Sequence, residues 1–322
     1  MGCVAGIDIG GTNIKCIMMS EADEVLIQKS VDTPYRRPVS EVVDLIEEVI
    51  RRMLKECGQS HEELLGIGLG IPGPTNFKTG IAYAVPFLGW NNVNICEMLE
   101  ERFHVPVSCD NDANLNALGE MYFGAGKGRR NILLLTLGTG LGCGIIVDGR
   151  ILRGANNVAA EAGHMVIEGG GELCACGKRG CFESYCSATA LVRYAKGFVR
   201  QYPDSALLRY AGGEAEKIDG KMIYRGCLEG DEASLKTRDI FVEKLSVGLV
   251  NMINLLNPEC IILSGGVSGM GDMLLGPLKK SVENLLMHKV QECDIIIGKL
   301  YTMAGVMGAC RMVKENRIKR EL

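Results

Sequence analysis

Asp8-Ile9-Gly10-Gly11-Thr12-Asn13-Ile14-Lys15 and Leu137-Gly138-Thr139-Gly140-Leu141-Gly142-Cys143-Gly144 decide the reading of this sequence. Each is an apolar run, a glycine–threonine turn and a second apolar run, at 4–9 and 14–19 in one case and at 132–137 and 141–147 in the other. The pattern predicts strand, tight turn, strand. Glycines at such turns permit positive φ and let backbone N–H groups close on an anion. Thr12 and Thr139 add hydroxyl donors, Lys15 adds a charge, and Asp8 offers a carboxylate that can hold a metal through water. The spacing G-x-x-x-x-G-K-[ST] of the phosphate-binding loop is missing. A dinucleotide fingerprint is excluded too, because a strand and not a helix follows the glycines. One such hairpin alone is an ordinary turn. Two at matching places in two halves of a chain point to an internally duplicated α/β unit.

Working outward, a third strand is expected near 24–31 and a helix over 38–57, where Val42, Ile46, Val49, Ile50 and Met53 recur at helical spacing. A buried strand over 64–71 ends in Pro72-Gly73-Pro74. A helix over 95–103, a short strand over 105–109 and a helix over 112–123 complete the first half. After the second hairpin, Asp148-Gly149 turns the chain into 150–152. Helices follow over 188–200, 233–256, 273–287 and 306–317, with strands over 260–264 and 294–300. The expected fold is α/β, in two lobes with a central cleft. Residues 1–116 form a small lobe, completed by the C-terminal helix at about 303–322, and residues 117–302 form a large lobe.

A third glycine turn, Leu263-Ser264-Gly265-Gly266-Val267, ends a strand, and ligands bind outside the carboxyl ends of such strands. Together the three turns resemble the two phosphate motifs and the adenosine motif of the actin, Hsp70 and sugar-kinase superfamily, whose lobes are ribonuclease H-like.

The bulk numbers leave room for this reading. The chain has 322 residues, 47% hydrophobic and 23% charged, with a net charge of -4, and so suits a globular protein of two domains. Nothing basic enough to bind nucleic acid stands out; the stretch from Lys314 to Arg320 reads as a solvated helix end. There is no signal-like start and no apolar run near the ~20 residues a membrane helix needs, so a cytoplasmic protein away from membranes is expected. Of fourteen cysteines, most stand singly on apolar stretches, as Cys16, Cys109, Cys143 and Cys260 do, and buried free thiols are expected there.

Two further stretches carry chemistry. In Asp110-Asn111-Asp112-Ala113-Asn114, short polar residues end a strand and open a helix. They read either as a helix cap or as a carboxylate placed for proton transfer. Glu161-Ala162-Gly163-His164 precedes Cys174-Ala175-Cys176-Gly177-Lys178-Arg179-Gly180-Cys181-Phe182-Glu183. His164, Cys174, Cys176 and Cys181 make an N/S₃ set for tetrahedral zinc, and with all four positions taken by protein the ion is structural. No H-E-x-x-H partner of a zinc protease accompanies His164.

E-x-G-H followed by C-x-C-G-x-x-G-C-x-E is similar to the hallmark of the ROK family, and Asp8 to Thr12, Asn111-Asp112, Gly138-Thr139-Gly140 and Ser264-Gly265-Gly266 fall in the family's order. The resemblance spans nearly the whole chain. It implies an ATP-dependent hexose kinase, with Asp112 as the general base for the sugar hydroxyl, usually the 6-hydroxyl. Asn111, Glu161, His164 and Glu183 would bond the other hydroxyls, with Gly73 lining the pocket. His164 would serve zinc with one ring nitrogen and sugar with the other. It further implies Gly10, Gly11, Thr12, Asn13, Lys15, Gly138, Thr139 and Gly140 at the phosphates, Asp8 assisting magnesium, Gly265 and Gly266 near the nucleoside, and a homodimer. One segment departs: in Pro86-Phe87-Leu88-Gly89-Trp90, Phe87 stands where the family's glucokinases carry a sugar-contacting Asn. Glucose stays the expected substrate, with N-acetylmannosamine or another hexose as the alternatives, unless the loop is simply rearranged. The family's sugar-sensing repressors carry a winged helix-turn-helix ahead of the first motif, and only seven residues precede Asp8, so a kinase is expected over a regulator.

Overall fold

The computed structural model describes residues 2–288 and 292–321. They form two compact units. One reaches to Arg130 and also holds residues 144–160 and the chain from Lys299 onward; the other holds residues 131–143 and 161–298.

In the first unit, β1 (Cys3–Ile9), β2 (Asn13–Ser20), β3 (Val25–Asp32), α1 (Val39–Glu56) and β4 (Leu64–Ile71) come first. A small three-stranded flap follows, β5 (Thr75–Asn76), β6 (Ile81–Val85) and β7 (Trp90–Asn94), and then α2 (Ile95–Phe103), β8 (Val107–Asn111) and α3 (Asp112–Phe123). The main sheet runs β3-β2-β1-β4-β8, with β1, β4 and β8 parallel and β2 and β3 antiparallel.

The sequence of β4, Leu-Leu-Gly-Ile-Gly-Leu-Gly-Ile, explains how both its faces are covered. Side chains alternate across a strand. Ile67, Leu69 and Ile71 join the core shared with Val42, Ile46 and Ile50 of α1. On the other face glycines admit the C-terminal helix, Ala304–Glu321. A Cβ on Gly68 would stand 2.3 Å from the carbonyl oxygen of Ala309, and one on Gly6 of β1 would stand 2.2 Å from that of Val306. The same helix meets α3 backbone to backbone: a Cβ on Gly119 would lie 2.1 Å from the carbonyl oxygen of Ala304, and one on Gly308 would lie 1.9 Å from that of Leu115.

Glu120 of α3 is fully buried. Its Oε2 accepts the N–H of Ala125 at 2.7 Å and of Lys299 at 3.1 Å, and its Oε1 accepts that of Leu300 at 2.8 Å. A buried carboxylate needs such partners, and here they tie the end of α3 to the place where the chain re-enters this unit.

The stretch 131–298 repeats the plan, with its residues 144–160 counting in the first unit. Its elements are β9 (Ile132–Leu137), β10 (Leu141–Val147), β11 (Arg150–Ile151), α4 (Glu183–Cys186), α5 (Ala188–Phe198), α6 (Ala206–Tyr210), α7 (Gly220–Glu229), α8 (Glu232–Leu256), β12 (Cys260–Ser264), α9 (Asp272–Leu285) and β13 (Asp294–Ile297). Its sheet order, β11-β10-β9-β12-β13, matches the first strand for strand, as a duplicated unit requires. Asp148 and Gly149 both adopt positive φ, 51° and 77°, the type I′ turn that an Asp-Gly hairpin favours. Phe182, fully buried, seats its ring on α8 where Gly248 leaves room; a Cβ there would come within 2.2 Å of the ring.

Several elements differ from expectation. A boundary near Asn116 would fall inside α3, and the close packing of Gly119 and Gly308 keeps that whole helix in the first unit. The strand expected over 105–109 is shifted to Val107–Asn111, so Asp110 and Asn111 pair with β4. The last strand stops at Ile297, and α5 ends at Phe198. The flap, α4, α6 and α7 were not anticipated, since the flap strands are short and polar and the helices short. None of the described cysteines is in a disulfide, and Cys16, Cys109, Cys143 and Cys260 are buried. Burial pushes the Cys16 and Cys143 thiols up to about 12. No described helix is long and apolar enough to cross a membrane.

Because the helix contact is backbone on backbone, Gly308→Ala should lower stability by about 1–3 kcal/mol, the usual cost of overpacking. An unchanged urea midpoint would reject the contact.

Candidate active site

The first hairpin turn is braced from β3 and the residue after it. The N–H of Gly10 bonds the carbonyl of Asn13 at 3.0 Å, the N–H of Thr33 bonds that of Thr12 at 2.8 Å, and the Thr33 hydroxyl bonds that of Gly10 at 2.7 Å. Gly11 and Thr12 are left exposed. Neither Gly10, Gly11, Gly138 nor Gly140 has positive φ, which corrects the role first given to them. What glycine supplies is room: a Cβ on Gly10 would stand 2.8 Å from the carbonyl oxygen of Asn13, and one on Gly140 would stand 2.3 Å from Glu183 Oε2. Asn13 turns its amide to Asp32 at 3.0 Å, within the sheet. Asp8 faces Lys15 across β1 and β2. Burial raises the Asp8 pKa, and Lys15 opposes the rise. Gly70 and Gly305 leave space for the carboxylate; a Cβ on either would stand 3.3 Å and 3.1 Å from its oxygens.

At the start of α3 the three polar residues divide their tasks. Asn111 is the cap: its Oδ1 accepts the N–H of Ala113 at 2.9 Å and of Asn114 at 3.3 Å, and its Nδ2 donates to the carbonyl of Gly73 at 3.3 Å. Gly73 holds φ at 95°, and a Cβ there would lie 2.6 Å from the carbonyl oxygen of Ala84. Asp110 is buried and paired with Arg153, Nη2 to Oδ2 at 2.7 Å. Asp112 begins the helix, with Oδ1 accepting the N–H of Ala113 at 2.9 Å. Asn111 thus caps the helix and Asp110 holds Arg153. Arg153, 43 residues away from Asp110, carries no motif that points to it.

In the second unit the Cys/His residues converge. The ligand atoms of His164, Cys174, Cys176 and Cys181 all lie within 4.8 Å of one another. Cys174 Sγ and His164 Nδ1 are 3.7 Å apart, as are the sulfurs of Cys176 and Cys181. Zinc–sulfur bonds of ~2.3 Å at a tetrahedral angle would put two sulfurs ~3.8 Å apart, so the set fits a four-coordinate zinc. Gly177 and Gly180, at φ 84° and 82°, fold the loop back. A Cβ on Gly180 would clash with the Glu168 carbonyl oxygen at 1.8 Å.

Glu183 links this cluster to the second glycine turn. Its Oε2 accepts the N–H of Leu141 at 3.0 Å, and its Oε1 lies 3.7 Å from Cys174 Sγ. That tie was not anticipated. Glu161 is exposed just ahead of the 3₁₀ turn Ala162–His164 and accepts the N–H of His164 at 3.0 Å. Its charge adds to the burial that raises the Cys143 thiol.

Gly265 has φ 85°, and a Cβ would lie 2.6 Å from the carbonyl oxygen of Leu137. Gly266 opens onto a cavity of about 480 Å³ lined also by Leu191, Asp219, Lys221, Tyr224 and Met270. The glycines are legible in the sequence, whereas the wall that α7 supplies is not, because its residues carry no motif. Phe87 is half-buried and packs against the first unit's core.

The sequence profile of the ROK family matches residues 4–316. The chain belongs to the ROK family. Among ROK proteins it is 36% identical over 312 residues to a glucokinase of Thermotoga maritima, covering 96% of each chain. It is 37% identical to one of Halalkalibacterium halodurans, covering 98% of this chain and 96% of the other. It is also 30% identical to a xylose repressor of Caldicellulosiruptor bescii, over 97% of this chain and 78% of the repressor. The crystal structure of a ROK glucokinase from Streptomyces griseus, in complex with glucose and AMPPNP, superposes with a TM-score of 0.83 at 33% identity, covering 98% of this chain and all of the other. The fold is that of the actin-like sugar kinases.

Within the ROK motif region, Ala160, next to Glu161, holds φ at 69°. A side chain in the left-handed region costs about 1–3 kcal/mol, partly offset on changing to glycine by the greater entropy of the unfolded chain. Ala160→Gly should therefore raise stability by about 1 kcal/mol. A lowered urea midpoint would show that the conformation is relaxed.

Proposed function

We propose that this ROK protein transfers the γ-phosphoryl group of ATP to a hexose, glucose at its 6-hydroxyl. The observation that carries this reading is the arrangement at the start of α3. Asn111 caps the helix and Arg153 pairs with Asp110, and the Asp112 carboxylate stands on the first turn against the N–H of Ala113, a place that suits a base. The near-complete match to glucokinases at 36% and 37% identity supports the sugar, and a similar chain binds glucose and AMPPNP.

Phosphoryl transfer asks for positioning and charge stabilisation more than covalent help. In this reading the Asp112 carboxylate takes the proton of the sugar hydroxyl as its oxygen attacks the γ-phosphorus and ADP leaves. Asn111, Glu161, His164 and Glu183 hydrogen-bond the remaining hydroxyls, with Gly73 beside them. Thr12, Thr139 and the backbone of Gly10, Gly11, Gly138 and Gly140 take the phosphates, with Lys15 adding charge. Asn13, bonded to Asp32, holds the first turn in shape. The nucleoside enters the cavity beside Gly265 and Gly266. Magnesium offsets phosphate charge when bound, and Asp8 is the residue for it.

Zinc at His164, Cys174, Cys176 and Cys181 belongs to the same reading, supported by the donor spacing. Its role is structural: it fixes the His164 ring and, through Cys174 and Glu183, the turn ahead of Leu141. The cytoplasmic location and homodimer implied by the resemblance also stay with it, and light scattering in solution reads the assembly.

An ADP-release assay across a hexose panel tests the sugar; glucose should give the highest kcat/KM, and N-acetylmannosamine in its place would transfer the reading to that substrate. Asp112→Asn, which keeps a helix-compatible side chain, should lower kcat by roughly 10²–10⁴, the contribution of general-base catalysis. A wild-type kcat in the folded variant would remove Asp112 from this role. Purified protein should carry zinc, and Cys176→Ser should lose it and weaken sugar binding more than ATP binding. Folded, active protein that elemental analysis finds free of zinc would refute the metal.

A further inference from the structure

Arg153 has no part in the chemistry assigned above, yet it is fixed on two sides. It lies two residues past β11. Its Nε and Nη2 stand 2.8 and 2.7 Å from Asp110 Oδ2. Its guanidinium carbon is 3.8 Å from the centroid of the Phe77 ring, between β5 and β6 of the flap. The Asp110 side chain is 3% exposed. Its other oxygen, Oδ1, accepts the N–H of Asn111 at 2.8 Å and the Nδ2 of Asn114 at 2.9 Å. Asn111 in turn caps α3 and reaches back to the carbonyl of Gly73. The contacts form one path from the flap ring through the guanidinium and the buried carboxylate to the backbone that enters Asp112.

We propose that Arg153 is a positioning residue for Asp112: it locks Asp110, and through Asp110 the strand-to-helix junction that aims the Asp112 carboxylate. The proposal rests on the reading of Asp112 as the base. An unpaired Asp110 would turn toward water and give up the Asn111 N–H, and the first turn of α3 would lose its fixed entry. A reaction that depends on placing an oxygen in line with phosphorus is sensitive to such a shift. The Phe77 contact extends the same lock to the flap. Lysine cannot replace arginine here, because a point charge offers neither two nitrogens to one oxygen nor a plane to lie on the ring.

Removing Arg153 alone would leave a buried carboxylate without its counter-ion, which destabilises the fold for reasons unrelated to positioning. The test therefore uses Arg153→Met together with Asp110→Asn, which removes both charges and keeps an oxygen for the Asn111 N–H. Thermal midpoint, kcat and both KM values are measured. The double variant should fold, keep its KM for ATP, and lose about 10²-fold in kcat, the scale of a misplacement near 1 Å. Arg153→Lys, which keeps the charge, should show a near wild-type midpoint with kcat about tenfold lower, since the bidentate, stacked geometry is gone. In an Asp112→Asn background the double change should cost nothing further, because the residue being aimed is already missing.

Wild-type kcat in either the folded double variant or Arg153→Lys overturns the proposal. So do losses that multiply in the Asp112→Asn background, since they would place the effect elsewhere. If Asp112→Asn itself keeps wild-type kcat, the base assignment falls and this role falls with it. That result is distinct from a disabled Asp112→Asn beside a fully active double variant, which removes Arg153 alone.

Discussion

The first unit depends on one constraint: the C-terminal helix must lie with its backbone against β1, β4 and α3. Gly6 and Gly68 on the sheet, Gly119 on α3 and Gly308 on the helix itself stand where any Cβ would enter a carbonyl oxygen. Much follows from that approach. The helix covers the sheet face opposite α1, so β4 is buried on both sides and must be apolar or glycine throughout. It also brings Gly305 beside Asp8, where a larger residue would press on the carboxylate. By holding α3 along its length, it fixes the element whose first residue is Asp112.

The carboxylates around α3 show how a fold sorts like groups into unlike roles. Asp110 is buried and satisfied by a guanidinium. Glu120 is buried and satisfied by backbone N–H groups of Ala125, Lys299 and Leu300. Asp112 lies on the first turn, against the N–H of Ala113, where the helix dipole favours an anion. Burial with fixed partners suits the first two to hold structure.

Most of the framework was legible because it was written in local signals. The two glycine–threonine hairpins, the alternation in β4 and the Asp148-Gly149 turn specify their own geometry over a few residues. Asn111 as cap could be read from its type and place, although sequence alone left capping open among three residues; the hydrogen bonds of Asn111 show that it is a cap. The Cys/His set was legible because its spacing leaves little else for those residues to do. What could not be read were contacts between distant stretches. Arg153 meets Asp110 and Phe77 across the chain, Glu183 reaches the Leu141 N–H, and α7 lines the cavity beside Gly266. None of these leaves a pattern at either end. The flap escaped notice for a different reason: strands of two to five residues with several asparagines have too little alternation to detect.

The glycines of the turns meet a need other than the one expected of them. Positive φ was the expected need, and at Gly10, Gly11, Gly138 and Gly140 it is not met. What Gly140 provides is an approach so close that a Cβ would stand against Glu183 Oε2, whose oxygen in turn holds the Leu141 N–H. Gly11 and Gly138 differ again, with no atom beyond their chain neighbours nearer than 4.0 Å to the place a Cβ would take. Sterics inside the protein therefore do not explain glycine at these two positions. A phosphate lying against the backbone would, because its oxygens would fill the space a side chain needs.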